Sequence, residues 1–591
     1  MRMEHYFQAE LRYLREQGQA LTQAHPELSH YLAGPGADPD VERLLEGVAF
    51  LTASLRARMD DSFPELSLGV LQLVAPQLLR VIPSLTMMQF LPIPHTISQP
   101  MRLEAGCEVA SAPIDGRSCR FRTCRPGWVY PADGQLNLDP TRLSLTLTLK
   151  LHTQLCQSKL ELGKLQLYLG DEQPAACELY LWLRQHLRQL VIETESDNWP
   201  LHPSCLQACG FAPADALLPE PDDHIDGHRL LQDYFSFPAA FLCLTLAPDL
   251  PPLAPKPVAQ VRLRFEFQQP LPGHVHITPQ SIMLNCIPAV NLFPLDAEPI
   301  HRHGRHHDYP LHLSHQAPDA YELFSIDSVQ GWRHPILSRE RNNQSCTQKN
   351  LREYQPFHRF QQPPSPPQTA AAQPQYKINQ SAKVSGQGLN YRLSFIEPEP
   401  SQTLRQEETI SISLTCCDRQ LASKLPPGAL HIATGSSPNF VRFHNLLRPT
   451  RIRYPASNDQ LHWQLLNNLS HHYLSLLEPQ RLQQLLNCYD RQDDADQPSH
   501  NRARITAIEH ISTQPIERLH DGLPIRGLHT RLSIHGQPFG GEGELYLFGS
   551  VLAHFLAHYA SINSFHQLDI INLDAQSRYQ WPATLGRQPL L

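Results

Sequence analysis

The sequence predicts an α+β, multidomain fold: a helical N-terminal segment, a strand-rich, β-sandwich-like middle and a mixed helix/strand C-terminal part. Three observations carry this. Apolar residues near the N-terminus recur at three- and four-residue steps. The middle switches to alternation with period two. The last third regains helical spacing around one further strand region. At 591 residues the chain exceeds a single core, and the length prior gives about four domains. We place them at residues 1–90, 91–300, 301–455 and 456–591.

The first helix is read from MRMEHYFQAELRYLREQGQALTQAHP. Phe7, Leu11, Leu14, Gly18 and Leu21 form one stripe, and Pro26 ends it. Gly18 costs about 1 kcal/mol against Ala in a helix, so its place on the stripe predicts a close backbone approach. A second helix starts at Asp38, an N-cap residue, with Pro39 in the first turn and Asp40 and Glu42 at the positive end of the helix dipole. Val41, Leu44, Leu45, Val48, Leu55 and Met59 make its apolar face, and Phe50 and Leu51 extend that face nearly all the way round. Burying each such Leu or Val is worth roughly 1.5–3 kcal/mol. A helix this apolar needs neighbours on more than one side. PELSLGVLQLVAP is read as a third helix.

In the middle, LSLTLTLKL (143–151), QVRLRFEF (260–267) and ISISLT (410–415) alternate as half-buried strands do, with a short helix expected at 175–187. Residues 355–388 are rich in Pro, Gln, Ala and Ser and read as a mobile loop. Helices return at LHWQLLNNLSHHYLSLL, at PQRLQQLLNCYD and over 543–562, with a strand region around GLHTRLSIHG.

Bulk chemistry excludes several function classes. A net charge of −8 argues against a broad nucleic-acid or anionic-membrane surface, which needs clustered Lys and Arg. No run reaches the roughly 18–20 apolar residues of a membrane span, and the N-terminus lacks the apolar core of a signal peptide. Thirteen scattered cysteines without a C-x-x-C pair read as reduced thiols in a cytoplasmic protein.

Two motifs invite a metal. His554 and His558 stand four apart on a helix, the zinc-peptidase spacing, and would make the chain a metal-dependent hydrolase. The general-base glutamate of that motif is replaced by Phe555. The tract HRHGRHHDYP offers His301, His303, His306, His307 and Asp308, but Arg302 and Arg305 interleave and would repel a cation. Packed or surface histidines account for both. A carbohydrate-binding β-sandwich is a further alternative, although no aromatic platform can be named. Nucleophile-elbow, P-loop, dinucleotide and calcium-loop templates each lack required residues. No catalytic residue, metal ligand or cofactor is assigned, and the chain is expected to work through surfaces.

Several stretches together resemble the TssF (VasA/ImpG) family of bacterial type VI secretion. They are YFQAELRYLREQGQALTQAHPELSHYL with DPDVERLLEGVAFLTASLRARMDDSFPEL, then LLQDYFSFPAAFLCL (230–244), LNCIPAVNLFPLDAEPI (284–300), LYLFGSVLAHFLAHYASINSF (545–565) and the final GRQPLL. They run from end to end of the chain. Two regions depart. The family tends to read Cys-Thr-Asn-Arg where this chain has Cys416-Cys417-Asp418-Arg419, and 336–388 matches poorly. The resemblance implies a non-enzymatic baseplate wedge subunit. Two copies would join one TssG, contact TssK and TssE, surround the spike hub (VgrG) and seed the sheath, in the cytoplasm at the inner membrane. The expected partner interface is Phe7, Leu11, Leu14, Gly18 and Leu21 with Val41, Leu44, Leu45, Val48, Phe50, Leu51 and Leu55.

Overall fold

The computed structural model describes residues 2–24, 39–60, 64–114, 116–156, 160–170, 172–195, 197–219, 226–247, 257–304, 306–313, 319–333, 351–357, 374–382, 388–396, 408–455, 459–469, 478–491, 500–520 and 523–586. The chain divides into two compact units. One holds Met1–Val74 with Ser457–Asn467, and the other holds Ala75–Ala456 with Asn468–Leu591. The architecture is α+β and multidomain.

The smaller unit is helical, as the three- and four-residue spacing predicts. Its helices are α1 (Arg2–Ala24), α2 (Pro39–Asp60), α3 (Pro64–Val74) and, from the return of the chain, most of α4 (Asp459–Leu469). Helices α1 and α2 pack on each other and are tied by Arg15 Nη2 to Glu42 Oε1 at 2.6 Å.

The larger unit is built from sheets. A six-stranded sheet takes strands from distant parts of the chain, in the order Leu430–Ala433, Glu108–Ser111, Arg120–Thr123, Cys286–Val290, Leu85–Pro92 and Val441–Asn445. Phe90, Val109, Phe121 and Ile287 lie in its core. A second sheet contains two of the three period-two strands. Ser144–Cys156 pairs antiparallel with Pro257–Phe267, setting Leu145, Leu147 and Leu149 against Phe265, Leu263 and Val261. All six are buried, and the alternating threonines and arginines face the other way. The expected short helix is present, Gln173–Gln185.

The described residues between 293 and 418 form two facing sheets around one apolar cluster that includes Leu323, Val329, Leu393, Ile410, Ile412 and Leu414. This corrects the loop expected at 355–388. Gln355–Pro356 and Gln375–Ala382 are strands, and the latter pairs antiparallel with Leu389–Ile396. Tyr376 and Ile378 supply the alternation, with Tyr376 buried and Ile378 packed on the same cluster. The surrounding Pro and Gln masked it. The rest of that stretch, 358–373 and 383–387, lies outside the described residues.

The C-terminal layer is a sheet in the order Ile508–His520, Leu523–Ile534, Phe565–Asn572, Arg578–Gln580. Against it lies the helix Glu542–His558, shorter than the expected 543–562. This helix is buried on almost every side, which explains why its sequence has little polar face. Ile562, expected on its apolar stripe, lies beyond its end and is exposed.

A buried histidine gives this layer a pH dependence. His228 sits inside the unit, with Nδ1 bonded to the Tyr489 hydroxyl and Nε2 3.0 Å from the Tyr559 hydroxyl. Burial lowers its pKa from 6.5 to about 4. The folded state therefore keeps it neutral, whereas the unfolded chain takes up a proton near pH 6.5. Stability is fully present above that pH and falls as pH drops from 6.5 towards 4, by about 3 kcal/mol in all. Urea unfolding of His228→Gln at pH 7 and pH 4.5 is expected to show a smaller acid loss than the parent chain; equal losses would contradict this.

Candidate partner-binding surface

The surface follows from which side of α2 the chain uses for itself. Ala49 and Ala53, four residues apart, are fully buried. Glu42, on the same side, is partly buried and paired with Arg15. At 100° per residue, Leu44, Val48, Leu51 and Leu55 lie roughly opposite, at 4-3-4 spacing. Leu44 is 70% exposed, Val48 46% and Leu51 65%, and Phe50 on the adjoining flank is 55% exposed. A Cβ at Gly47, between these positions, would meet nothing within 4 Å. The helix shows its small residues to its own chain and its large apolar residues to solvent.

The 4-3-4 spacing is that of a coiled-coil seam, which buries its row against a second helix. Clustered apolar side chains of this size on one exposed face mark an interaction site. Trp463 of α4, in the same unit, is 45% exposed and Tyr13 of α1 is 54% exposed. The sequence reading named neither; an amphipathic aromatic off the main stripe was the available signal.

The expected interface residues fall into three sets. Leu44, Val48, Phe50 and Leu51 are exposed. Phe7, Leu11, Leu14, Val41 and Leu45 are half-buried. The side chains at Leu21 and Leu55, and the surroundings of Gly18, lie outside the described residues. Charged groups border the row: Asp40, Arg43 and Glu46 are exposed on α2, and Arg12 pairs with Glu16 at 3.0 Å on α1.

The two histidine motifs are held by packing. The His554 ring stacks on Phe211 with centroids 4.3 Å apart, and His558 Nδ1 lies 2.8 Å from the His554 carbonyl oxygen of its own helix. Phe555, at the position of the missing general base, is in the core. In the other tract, His303 and His306 meet edge to face with centroids 5.2 Å apart, beside Tyr309. Arg302 reaches the buried Glu408 at 3.5 Å and the Tyr354 hydroxyl at 2.9 Å. It therefore serves the sandwich core. Among the described residues no three His, Cys, Asp or Glu side chains are grouped to hold a metal ion. No described helix is long and apolar enough to cross a membrane.

Comparison with known proteins gives the surface its setting. The family profile described as "Type VI secretion system, TssF" matches residues 1–588. A curated relative from Pseudomonas aeruginosa, "Type VI secretion system component TssF1", is 28% identical, with both chains covered in full. One solved structure, a chain of a type VI secretion system TssK-TssF-TssG baseplate subcomplex, aligns with a TM-score of 0.74 at 27% identity over 93% of this chain and 99% of that one. Another, from "the baseplate complex from the type VI secretion system", aligns with a TM-score of 0.65 at 26% identity over the whole of both chains. Family match and fold thus define a structural component of a type VI secretion baseplate. The chain belongs to the TssF family.

Proposed function

We propose that the chain is a non-catalytic wedge subunit of the baseplate that assembles through the exposed row on α2. The observation that carries this is the row itself: Leu44, Val48 and Leu51 aligned and open to solvent on a helix whose opposite side is already packed. Its apolar character asks for another helix, because a coiled-coil seam is satisfied by a matching one. The solved relative was determined in a subcomplex with TssK and TssG, which supports TssG and TssK as neighbours of this chain. In this reading the row packs against TssG or against a second copy of the chain, two copies to one TssG. TssE, the VgrG spike hub and the sheath join later, in the cytoplasm beside the inner membrane.

The absence of catalysis is part of the same reading. Stacking and helix bonding engage His554 and His558, which supports this reading over a metal-dependent hydrolase. Neither a cofactor nor a metal is needed. The test is co-expression with TssG and TssK, with affinity capture through this chain and native mass measurement. The expected product is a complex containing both proteins and two copies of this chain. Capture of the chain alone would overturn the proposal, and a one-to-one product would overturn the stoichiometry.

A further inference from the structure

Cys209 and Cys243 face each other across an antiparallel ladder. The register of Leu206–Ala208 with Cys243–Leu246 pairs Ala208 with Leu244, so one step further sets Cys209 opposite Cys243. The Cys209 N–H donates to the Cys243 carbonyl at 2.9 Å. Opposed residues joined by such a ladder bond have Cα atoms about 5.5 Å apart, inside the roughly 4.4–6.8 Å that a disulfide spans. Cys209 Sγ lies 2.7 Å from Thr245 Oγ1. Cys209 is half-exposed and Cys243 is buried. Gly210 follows with φ +95°, and its N–H donates to Asp215 Oδ2 at 2.9 Å. That turn fixes the backbone carrying Cys209.

Arg125 is the second observation. It is 6% exposed and donates from Nη2 to the Ala240 carbonyl at 3.4 Å. Its Nη1 has no hydrogen-bond partner among the described residues. Its charge acts on Cys243, Asp215, Cys209 and Cys124. A buried guanidinium with an unused donor is costly unless an anion faces it, and a Cys209 thiolate is such an anion. The hydrogen bond from Cys243, with help from Arg125 and Thr245, outweighs burial and brings Cys209 down to about 7. Cys243 is pushed well up, first by its bond to Cys209 and then by burial. The more exposed Cys209 is the member a solute can reach, and the buried Cys243 stands opposite it as a resolving thiol.

We propose that Cys209 and Cys243 form a redox-active pair that closes to a disulfide when a hydroperoxide reaches Cys209. The Cys209 sulfur attacks the peroxide, an S–O bond forms, the O–O bond breaks and the leaving oxygen departs with the Cys209 proton, as water from hydrogen peroxide or as the alcohol from an organic hydroperoxide. The Cys243 sulfur then attacks the resulting sulfenic acid. The S–S bond forms, the S–O bond breaks, and the hydroxide leaves as water with the Cys243 proton. Two thiols are oxidised, and the peroxide takes both electrons. A dithiol reductant reverses the change. The bridge pins the strand leading to Phe211, whose ring stacks on His554.

The test treats the purified full chain with hydrogen peroxide and maps tryptic peptides by mass spectrometry without reduction. The expected product joins the peptide carrying Cys209 to the one carrying Cys243, two hydrogens lighter than their sum and split by dithiothreitol. The first peptide also carries Cys205, so two variants are compared. Cys205→Ser is expected to keep the bridge and Cys209→Ser to abolish it. No cross-link in the parent chain, or a cross-link that survives Cys209→Ser, would overturn the proposal.

Discussion

Replacing Leu44 and Leu51 together by glutamate is expected to leave the chain folded and to abolish its assembly with partners. Both side chains are mostly exposed in the free chain, and Glu matches Leu closely in helix propensity. Surface changes of this kind stay within about 0.5 kcal/mol of the parent stability. In an assembled seam the same two leucines would each lose roughly 1.5–3 kcal/mol of burial, and two charges would have to be desolvated as well. A loss of about 4 kcal/mol or more is about a thousandfold in affinity. Capture with co-expressed TssG, beside a thermal melt of each chain, checks both halves. Leu45 is the wrong target for this test, because it is half-buried and its loss would confound folding with binding.

The largest effect on folding is expected from Gly543→Ala, at the start of the long C-terminal helix. A Cβ there would lie 2.3 Å from the Cys177 carbonyl carbon and 2.4 Å from the Glu178 nitrogen, both backbone atoms of Gln173–Gln185. Neither can rotate away. The two helices would have to separate, and the Gly543 N–H would be pulled from Glu178 Oε1, now at 3.0 Å. That bond replaces the cap that Gly541 cannot supply through a side chain. Overpacking costs about 1–3 kcal/mol where side chains can adjust, and two backbones in direct contact put this site at or above the upper end. Chemical denaturation should show a loss of about 3 kcal/mol. Ala at Gly428, where a Cβ meets nothing within 4 Å but φ is +82°, should cost less.

The contrast between these two sites shows how far the sequence could be read. The period-two strands were legible because burial on one face enforces alternation, as Leu145, Leu147 and Leu149 show. Pairings between distant segments, such as Leu85–Pro92 with Val441–Asn445, leave no local signal. For α2 the excess of apolar residues was legible and its direction was not. The packed side is lined by alanines and the open side by leucines, the reverse of what side-chain size suggests, and an apolar pattern that runs nearly all round carries no azimuth. A close backbone approach of the kind expected at Gly18, whose surroundings lie outside the described residues, occurs at Gly543. The signal there is the cluster Gly540, Gly541 and Gly543 just at the start of the apolar helix. His228 gave no signal in sequence, since its tyrosine partners at 489 and 559 stand just past the ends of two distant helices.

The most direct measurement of the central claim is hydroxyl-radical footprinting of α2, in the free chain and in the complex captured with TssG and TssK. Phe50, Leu44 and Leu51 should be oxidised readily in the free chain, and Leu44 and Leu51 should be strongly protected in the complex. Equal oxidation of Leu44 and Leu51 in both states would contradict the assignment of this helix as the assembly surface.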